Sequence, residues 1–416
     1  MRENAKKLLD FIYESPTAFH AAANVAAQLE GAGFSELFEG DDWDLKSGGK
    51  YFVRKNSSSI AAFVVGARAK LRAIAAHTDS PAFAIKPNPE IEAGGHIKLN
   101  TAAYGGIILH TWFDRPLAIA GRVLLKGENF LAPEEKLINI NRPLVIIPSL
   151  AIHLNREVNN GFKINPQVDT LPLAALENFS LADLLAKELE RSSAQILDYD
   201  LMLYEYAPGV LLGENEEFIS SPRLDDLWMV YGGLQAIKEA EAGEFTKLVY
   251  FPDNEEIGSL TAHGAQSRFI ESVLRRINGG CEQSFAKMLA DSFVISADLG
   301  HGSNPNYPEK DDPTTKTKLG GGPVLKYSPA QKYATTGYTA AIFKALCEKA
   351  DVPCQGYIVR SDVQGGSTIG AMMSANLGVN VVDMGLAVLG MHSVRELGAV
   401  ADNEYMLKLF KTFFEN

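Results

Sequence analysis

Short apolar runs that alternate with helical segments constrain the fold of the C-terminal half more than any other feature. Lys247–Phe251, Phe293–Ala297 and Val379–Val382 have the length and composition of strands that are buried on both faces. Segments with helical character, such as Gln266–Asn278 and Thr335–Lys349, lie between them. Strands that alternate with helices predict an α/β fold with an open, largely parallel sheet and helices on both faces.

The sequence between 85 and 220 has a different texture. Glycine and Asn-Gly clusters separate short β-branched runs such as Gly121–Leu125. A chain of 416 residues also exceeds the size at which a single core stops growing. We therefore expect an inserted β-rich domain at 85–220, containing one helix at Leu181–Glu190, between a first part at 1–84 and a second part at 221–416.

The charge balance excludes several classes of partner. The chain has 39 basic and 51 acidic residues, a net charge of −12, which argues against nucleic acids and anionic membranes as partners. It contains neither a secretory type of N-terminal segment nor an apolar run near the ~18 residues that a membrane helix needs. Three cysteines without zinc-ribbon spacing are typical of reduced thiols. These features together predict a cytoplasmic protein.

Polar residues of the kinds that bind metals follow several of the apolar runs. They are His77 and Asp79, Glu255 and Glu256, Asp298, and His392. The carboxyl ends of strands border the ligand crevice of an open α/β sheet, so these scattered side chains are candidates for one site. Each of them alone also has an ordinary structural interpretation. His77 and Asp79 could form a surface turn, and Glu255 and Glu256 a solvated loop end. Asp298 could cap a turn, and His392 could be a core histidine.

The spacing of these residues suggests a division of roles. Adjacent residues such as Glu255 and Glu256 do not share a face, so in one site they would do different work. His77 and Asp79 are two apart and would point the same way in an extended segment, which allows one of them to orient the other. Asp225 and Asp226 begin a predicted helix, and one of them is expected simply to favour the positive end of the helix dipole.

Histidines and carboxylates in these numbers suit a pair of divalent ions of the kind that supports hydrolysis. The candidate set contains no thiolate, which argues against a closed structural zinc site. The spacing of these residues alone supports a two-ion site no more strongly than it supports ordinary structural roles for them.

Eight motifs in order resemble the M18 aminopeptidases, the aspartyl aminopeptidase family, over nearly the whole chain. They are SPTAFHA, AAHTDSP, SPRLDD, FPDNEEIGS, SADLGHGSNPNY, GPVLK, VRSDVQGGSTIG and GMHSVRE. The resemblance implies a zinc-exopeptidase-like fold and an aminopeptidase that removes N-terminal residues from peptides, with a preference for acidic ones.

The resemblance also implies roles for individual residues. Two divalent ions, zinc or alternatively cobalt or manganese, would be bound by His77, Asp225, Glu256, Asp298 and His392. Of these, His77 and Asp298 would hold one ion, Glu256 and His392 the other, and Asp225 would bridge them. Glu255 would be the general base, and Asp79 would orient His77.

Substrate contacts and assembly follow from the same resemblance. Lys326 would pair with an acidic substrate side chain, and the alternative interpretation from the sequence is a solvated surface lysine. The remaining substrate-binding residues would be His301, Tyr333 and, from across a dimer interface, His153. The inserted domain would serve dimerisation, and the dimers would assemble into a homo-dodecamer.

Two alternative functions remain open at this point. A metal-dependent deacylase or carboxypeptidase would use a similar pair of ions. A non-catalytic shell protein would keep the assembly without the chemistry, although the complete ligand set with Glu255 argues against it.

Overall fold

The computed structural model of the chain describes residues 1–67 and 70–415. Contacts between residues divide the chain into two units. The first unit contains Met1–Asp79, Gly209–Met391 and Glu396–Asn416, and the second contains Ser80–Pro208 and His392–Arg395. The four residues His392–Arg395 thus group with a segment that lies far earlier in the chain. The expected boundaries, 84/85 and 220/221, lie about 5 and about 12 residues later than those at 79/80 and 208/209.

The strands in chain order are β1 Ser35–Leu37, β2 Lys50–Lys55, β3 Ser59–Val64, β4 Leu71–Ala75, β5 Ala82–Ala93, β6 His96–Tyr104, β7 Leu117–Asn129, β8 Ala132–Val145, β9 Leu173–Ala175, β10 Ile196–Glu205, β11 Val210–Leu212, β12 Phe218–Ser221, β13 Thr246–Phe251, β14 Phe293–Ala297, β15 Gly300–His301, β16 Val324–Tyr327, β17 Gln355–Ile358, β18 Asn380–Gly385, β19 Ala387–Val388 and β20 Glu396–Ala399. The α-helices are α1 Arg2–Tyr13, α2 Ala18–Gly31, α3 Leu181–Glu188, α4 Leu224–Lys238, α5 Phe269–Asn278, α6 Glu282–Ala290, α7 Gly337–Lys349, α8 Ile369–Leu377 and α9 Val400–Glu415.

The first unit is built on a nine-stranded sheet with the order β1-β2-β3-β13-β4-β14-β18-β16-β17. Its central strands β13, β4, β14 and β18 run parallel to one another. Antiparallel pairings occur on both sides of that centre, between β3 and β13 and between β16 and β18. The sheet is therefore mixed, with a parallel centre, which agrees with the predicted class.

Side chains of this sheet alternate between two hydrophobic cores. On β3, Ile60 and Ala62 belong to a core that also contains Leu227 of α4, whereas Ala61 and Phe63 belong to the opposite core. The second core also contains residues of α5, α6 and α8. Because successive strand residues point to opposite faces, a strand with apolar residues at every position requires cover on both sides. Helices supply that cover on both faces, as the sequence predicted.

The second unit contains a six-stranded antiparallel sheet with the order β8-β7-β10-β5-β6-β9. Its hydrophobic core includes apolar residues of β7 and β10, such as Val123 and Leu203, together with Leu185 of α3. The hydroxyl of Ser180 accepts a hydrogen bond from the Asp183 amide at 3.2 Å and caps α3. This unit is β-rich with one α-helix, as expected for the insertion.

Two further expectations concern the membrane and the cysteines. Among the described residues, no helix combines the length and the apolar character that crossing a lipid bilayer requires. The three cysteines, Cys281, Cys347 and Cys354, are free thiols, as their spacing indicated.

Candidate metal centre

Three neighbouring strands of the first unit bring the candidate residues to one edge of the sheet. Strand β4 lies between β13 and β14, and all three run in the same direction. Their carboxyl ends lead into the segments that carry the candidates, which are His77 after β4, Glu255 and Glu256 after β13, and Asp298 after β14. The carboxyl ends of parallel strands meet at a common edge, where open α/β sheets bind their ligands.

His77 is buried among carboxylates at this edge. Its Nδ1 lies 3.0 Å from the backbone oxygen of Asp79 and 3.3 Å from Oδ1 of the same residue. A carbonyl oxygen only accepts hydrogen bonds, so Nδ1 carries the hydrogen and Nε2 carries the lone pair. Nε2 lies 3.4 Å from Oδ1 of Asp225 and 4.0 Å from Oδ2 of Asp226. The imidazole is therefore oriented with Nε2 towards the carboxylates, and in its neutral form Nε2 would be the nitrogen available to a metal ion.

Asp79 makes contacts beyond the one that the sequence suggests. Its Oδ1 accepts a hydrogen bond from the Glu255 amide and its Oδ2 accepts one from the Glu256 amide, each at 3.1 Å. Both glutamates lie on a single 3-10 turn, Glu255–Ile257. The carboxylate that contacts His77 thus also holds the backbone of the turn that carries the two glutamates.

Asp225 and Asp226 are both buried, and the interpretation that they merely begin a helix does not account for them. Neither has helical backbone angles, although both lie in the first turn of α4. The Asp225 amide donates to Oε2 of Glu396 at 2.9 Å, and Oδ2 of Asp226 accepts from the His77 amide at 3.1 Å. Oδ1 of Asp226 is buried and has no hydrogen-bond partner among the described residues.

Donor atoms of these residues lie close enough together to hold cations. One group, within 4.8 Å of one another, contains His77, Asp225, Asp226 and Asp298, and a second contains His77, Glu255 and Glu256. Asp225 and Glu256 also offer atoms within 4.8 Å of each other. Asp226 is a member that the sequence analysis did not select, and its burial, its non-helical backbone and its contact with His77 distinguish it from a helix-initiating residue.

The electrostatics of the cluster favour a bound cation. Burial, with Asp298 and Asp225 nearby, raises the pKa of Asp226 well above its usual range. Burial, with Asp298 and Asp79 nearby, raises the pKa of Glu255 to about 8. Burial alone would lower the pKa of His77, but the carboxylates around it outweigh that effect and raise it. Buried carboxylates this close together are stable in their charged form only beside positive charge.

The donor set fits zinc or a similar divalent ion. Imidazole nitrogen and carboxylate oxygen are ligands that zinc, manganese and cobalt accept. The buried Oδ1 of Asp226, which no described donor satisfies, is the kind of atom that a cation would contact. The cluster contains no cysteine, so it does not match a closed structural zinc site.

Glycine at position 385 allows the backbone of β18 to approach the backbone of Asp298 closely. The Asp298 amide donates to the Met384 oxygen at 2.9 Å. A Cβ atom on Gly385 would collide with the backbone oxygen of Asp298. Any larger residue at 385 would therefore displace the segment that carries Asp298.

Lys326 is buried beside the cluster, so the alternative of a solvated surface lysine is wrong. The residue is 3% exposed, and its Nζ lies 3.4 Å from Oδ1 of Asp298. Nζ also lies 5.4 Å from the centre of the Tyr333 ring, which is buried as well. Burial alone would lower the pKa of Lys326, but Asp298 and its other neighbours outweigh it and raise that pKa.

The other predicted site residues lie in different surroundings. His301 is exposed and lies edge-on to Tyr357, with 5.8 Å between the ring centres, beside a cavity of about 200 Å³. His153 and His392 belong to the second unit. His153 is exposed in a turn in which the Leu154 amide donates to the Ala151 oxygen. His392 contacts the backbone oxygen of Gly106 through Nδ1 at 3.0 Å.

Comparison with known families accounts for this arrangement. The model of a family described as "Aminopeptidase I zinc metalloprotease (M18)" matches residues 11–414. The chain belongs to the M18 aminopeptidase family. It is therefore a metal-dependent aminopeptidase and a hydrolase of a zinc metalloprotease family, as the motifs indicated.

Relatives and solved structures agree with this membership. A probable M18 family aminopeptidase 2 of Clostridium novyi (strain NT) is 49% identical over 424 residues, which cover 99% of this chain and 98% of the relative. A cryo-EM structure of the Ape4 and Nbr1 complex contains a chain that is 36% identical, with a TM-score of 0.96, covering 100% of this chain and 86% of that one. The mApe1 dodecamer of S. cerevisiae is 26% identical, with a TM-score of 0.88, covering 100% of this chain and 98% of that one.

Proposed function

We propose that this M18 aminopeptidase uses two divalent ions to release N-terminal residues from peptides and prefers acidic residues. The observation that carries the proposal is the convergence of donor atoms from His77, Asp225, Glu256 and Asp298 at one sheet edge, with Glu255 beside them. A site that gathers so many buried carboxylates needs positive charge, and two divalent ions provide it.

In the proposed ligand set, His77 and Asp298 would hold one ion, Glu256 and His392 would hold the other, and Asp225 would contribute to both. Support for the histidines comes from their matching hydrogen bonds, since Nδ1 of each contacts a backbone oxygen at 3.0 Å. This arrangement leaves Nε2 as the nitrogen with the lone pair. When bound, such ions polarise the scissile carbonyl and make water a better nucleophile near neutral pH.

Glu255 is the proposed general base. It accepts a proton from the attacking water and returns it to the amine that leaves. The Asp79 carboxylate holds the Glu255 amide at 3.1 Å, which fixes the turn that carries the base. Burial raises the pKa of Glu255 to about 8, and bound cations would oppose that shift and favour the carboxylate that a base requires.

The acidic preference rests on Lys326. The net charge of −12 disfavours an acidic substrate unless a local cation receives it. An ammonium group has three donors, so the contact of Lys326 with Asp298 leaves capacity for a substrate carboxylate. Exchange of Lys326 for methionine should lower the ratio of kcat/KM for Asp over Leu reporters. An unchanged ratio would remove Lys326 from this role.

We further propose a homo-oligomer, assembled from dimers that form through the second unit and most simply a dodecamer. The S. cerevisiae relative in the comparison is a dodecamer. Support within this chain comes from large apolar side chains exposed on the second unit, including Phe130, Leu131 and Leu154. His153 would contribute to the neighbouring subunit's site. The three free cysteines support a cytoplasmic location.

A peptide assay with matched substrates tests the proposed reaction. The protein should cleave an Asp reporter with a free amino group and leave its N-acetylated counterpart intact, because a deacylase or carboxypeptidase does not need the free amine. Chelation should abolish turnover, and zinc, manganese or cobalt should restore it. Cleavage of the acetylated substrate, or full activity in metal-free protein, would contradict the proposal.

A further inference from the structure

The segment His392–Arg395 is held by the second unit, although it follows that unit in the chain by almost two hundred residues. Its contacts group it with Ser80–Pro208. Val394 belongs to the hydrophobic core of that unit. The contacts described below, which orient the His392 imidazole, all lie within the second unit.

Backbone groups of the second unit contact His392 directly. Nδ1 of His392 donates to the Gly106 oxygen at 3.0 Å, and the His392 oxygen accepts from the Ile108 amide at 3.0 Å. A Cβ atom on Gly106 would lie 3.3 Å from Nδ1, so glycine allows the close approach. His392 itself has φ +67, a left-handed conformation that needs support from such contacts.

Thr111 ties the next residues to the same loop. Its hydroxyl donates to the Ile108 oxygen at 2.7 Å and accepts from the Val394 amide at 2.9 Å. The Thr111 backbone oxygen accepts from Nε of Arg115 at 2.7 Å. The loop that contacts His392 is thus continuous with Arg115.

Glu205 is buried and links the two ends of this arrangement. Its Oε1 lies 2.6 Å from Nη1 of Arg115, and its Oε2 accepts from Nε of Arg395 at 3.0 Å. Nη2 of Arg395 also donates to the oxygens of Ala207 and Pro208 at 3.1 and 3.0 Å. A single carboxylate therefore connects the loop that contacts the histidine with the residue three positions after the histidine.

We propose that Glu205, acting through Arg115 and Arg395, is a positioning residue for His392. The inserted unit then has a role besides the proposed assembly, which is to orient the His392 imidazole. This inference rests on the proposed function, in which His392 is a ligand. Removing one member of a buried charge group leaves the others uncompensated, and loss of groups that orient a metal ligand typically weakens binding about 10- to 100-fold.

Glu205→Gln tests this role with little change in size. Metal-free protein is titrated with zinc by calorimetry, and with cobalt by its visible absorption, so the readouts do not depend on turnover. Wild type should bind two ions, and Glu205→Gln should bind one of them about 10- to 100-fold more weakly. Glu188→Gln is the matched control, because Glu188 pairs with Arg142 at 2.7 Å in the same unit but at a more exposed position. The control should bind like wild type.

A His392→Gln variant separates failure of this inference from failure of the proposed function. If His392→Gln binds both ions as tightly as wild type, His392 is not a ligand and the proposed metal set is wrong. If it loses one ion while Glu205→Gln binds both normally, the ligand assignment stands and the role of Glu205 is overturned. Should Glu205→Gln fail to fold, Arg395→Lys carries the same measurement, with weakened binding of one ion expected and normal binding contradicting the inference.

Discussion

The two units differ in where their most unusual side chains lie. The first unit buries a cluster of carboxylates, among them Asp225 at the start of α4 and Asp298 after β14. The second unit exposes large apolar side chains, with Phe130 91%, Leu131 80% and Leu154 75% exposed in the single chain. Buried charges need compensation, and exposed apolar patches need cover. The buried carboxylates of the first unit therefore favour a bound cation, and the proposed assembly would cover the exposed apolar side chains of the second unit.

Replacing the proposed base should disable the first unit without removing its ligands. Glu255→Gln should lower kcat by about 10²- to 10⁴-fold, because a positioned base contributes that much. Metal content, measured by mass spectrometry of the purified protein, should stay near that of wild type. Glu348→Gln, at an exposed position on α7, is the control. Retention of more than about a tenth of the activity would reject Glu255 as the base.

A half-buried histidine away from the cluster, His20, shows how partial burial changes a pKa in the first unit. Burial first, and Arg223 second, lower the pKa of His20 from 6.5 to about 4. The unfolded chain therefore binds a proton between these values that the folded chain does not bind, so stability is complete above pH 6.5 and is lost as the pH falls towards 4. The loss should be on the order of 3 kcal/mol in denaturant unfolding.

His20→Gln should remove this part of the pH dependence. The Thr17 hydroxyl lies 2.9 Å from Nδ1 of His20, and it would remain available as a hydrogen-bond partner for the glutamine side chain. Equal slopes of stability against pH for wild type and variant would show that His20 does not titrate in this range.

Asp79→Asn tests whether the cluster depends on its support as well as on its ligands. The variant keeps one acceptor of the two that hold the Glu255 and Glu256 amides. Zinc affinity should fall about 10- to 100-fold, the effect typical of groups that orient metal ligands. A titration of metal-free protein measures this change. Affinity equal to that of wild type would mean that Asp79 is dispensable for the site.

Placing a charge on the exposed apolar surface of the second unit should weaken subunit association, and this is the smallest of the predicted effects. Leu154→Glu should weaken association by about 2 kcal/mol, roughly 30-fold in the dissociation constant, if Leu154 is buried between subunits. Light scattering across a dilution series measures the mass. Phe38→Glu, which changes an exposed apolar residue of the first unit, is the control. Dissociation of the control but not of Leu154→Glu would assign the interface to the first unit instead.

Strand ends were predictable from the sequence because the relevant pattern is local. An apolar run followed closely by a polar residue identifies His77, Glu255 and Asp298 without knowledge of the fold, and the parallel order of β13, β4 and β14 explains why they meet. The family resemblance then supplied the roles, which no spacing alone could give.

Contacts between distant segments were not predictable in the same way. The Asp226 carboxylate accepts a hydrogen bond from the His77 amide, 149 residues away in the sequence. The Glu396 carboxylate accepts one from the Asp225 amide, 171 residues away. Nothing local distinguishes Asp226 from a residue that favours the start of a helix. In the second unit the sequence predicted short strands, because charged residues interrupt the apolar pattern. The strands β7 and β8 nevertheless continue through these charged residues and are 13 and 14 residues long.

Anomalous diffraction at the zinc edge, from crystals grown with zinc, would locate the ions themselves. We expect two peaks per subunit, one beside His77 and Asp298 and the other beside Glu256 and His392, with Asp225 next to both. A single peak, or peaks away from the carboxyl ends of β4, β13 and β14, would contradict the two-ion site.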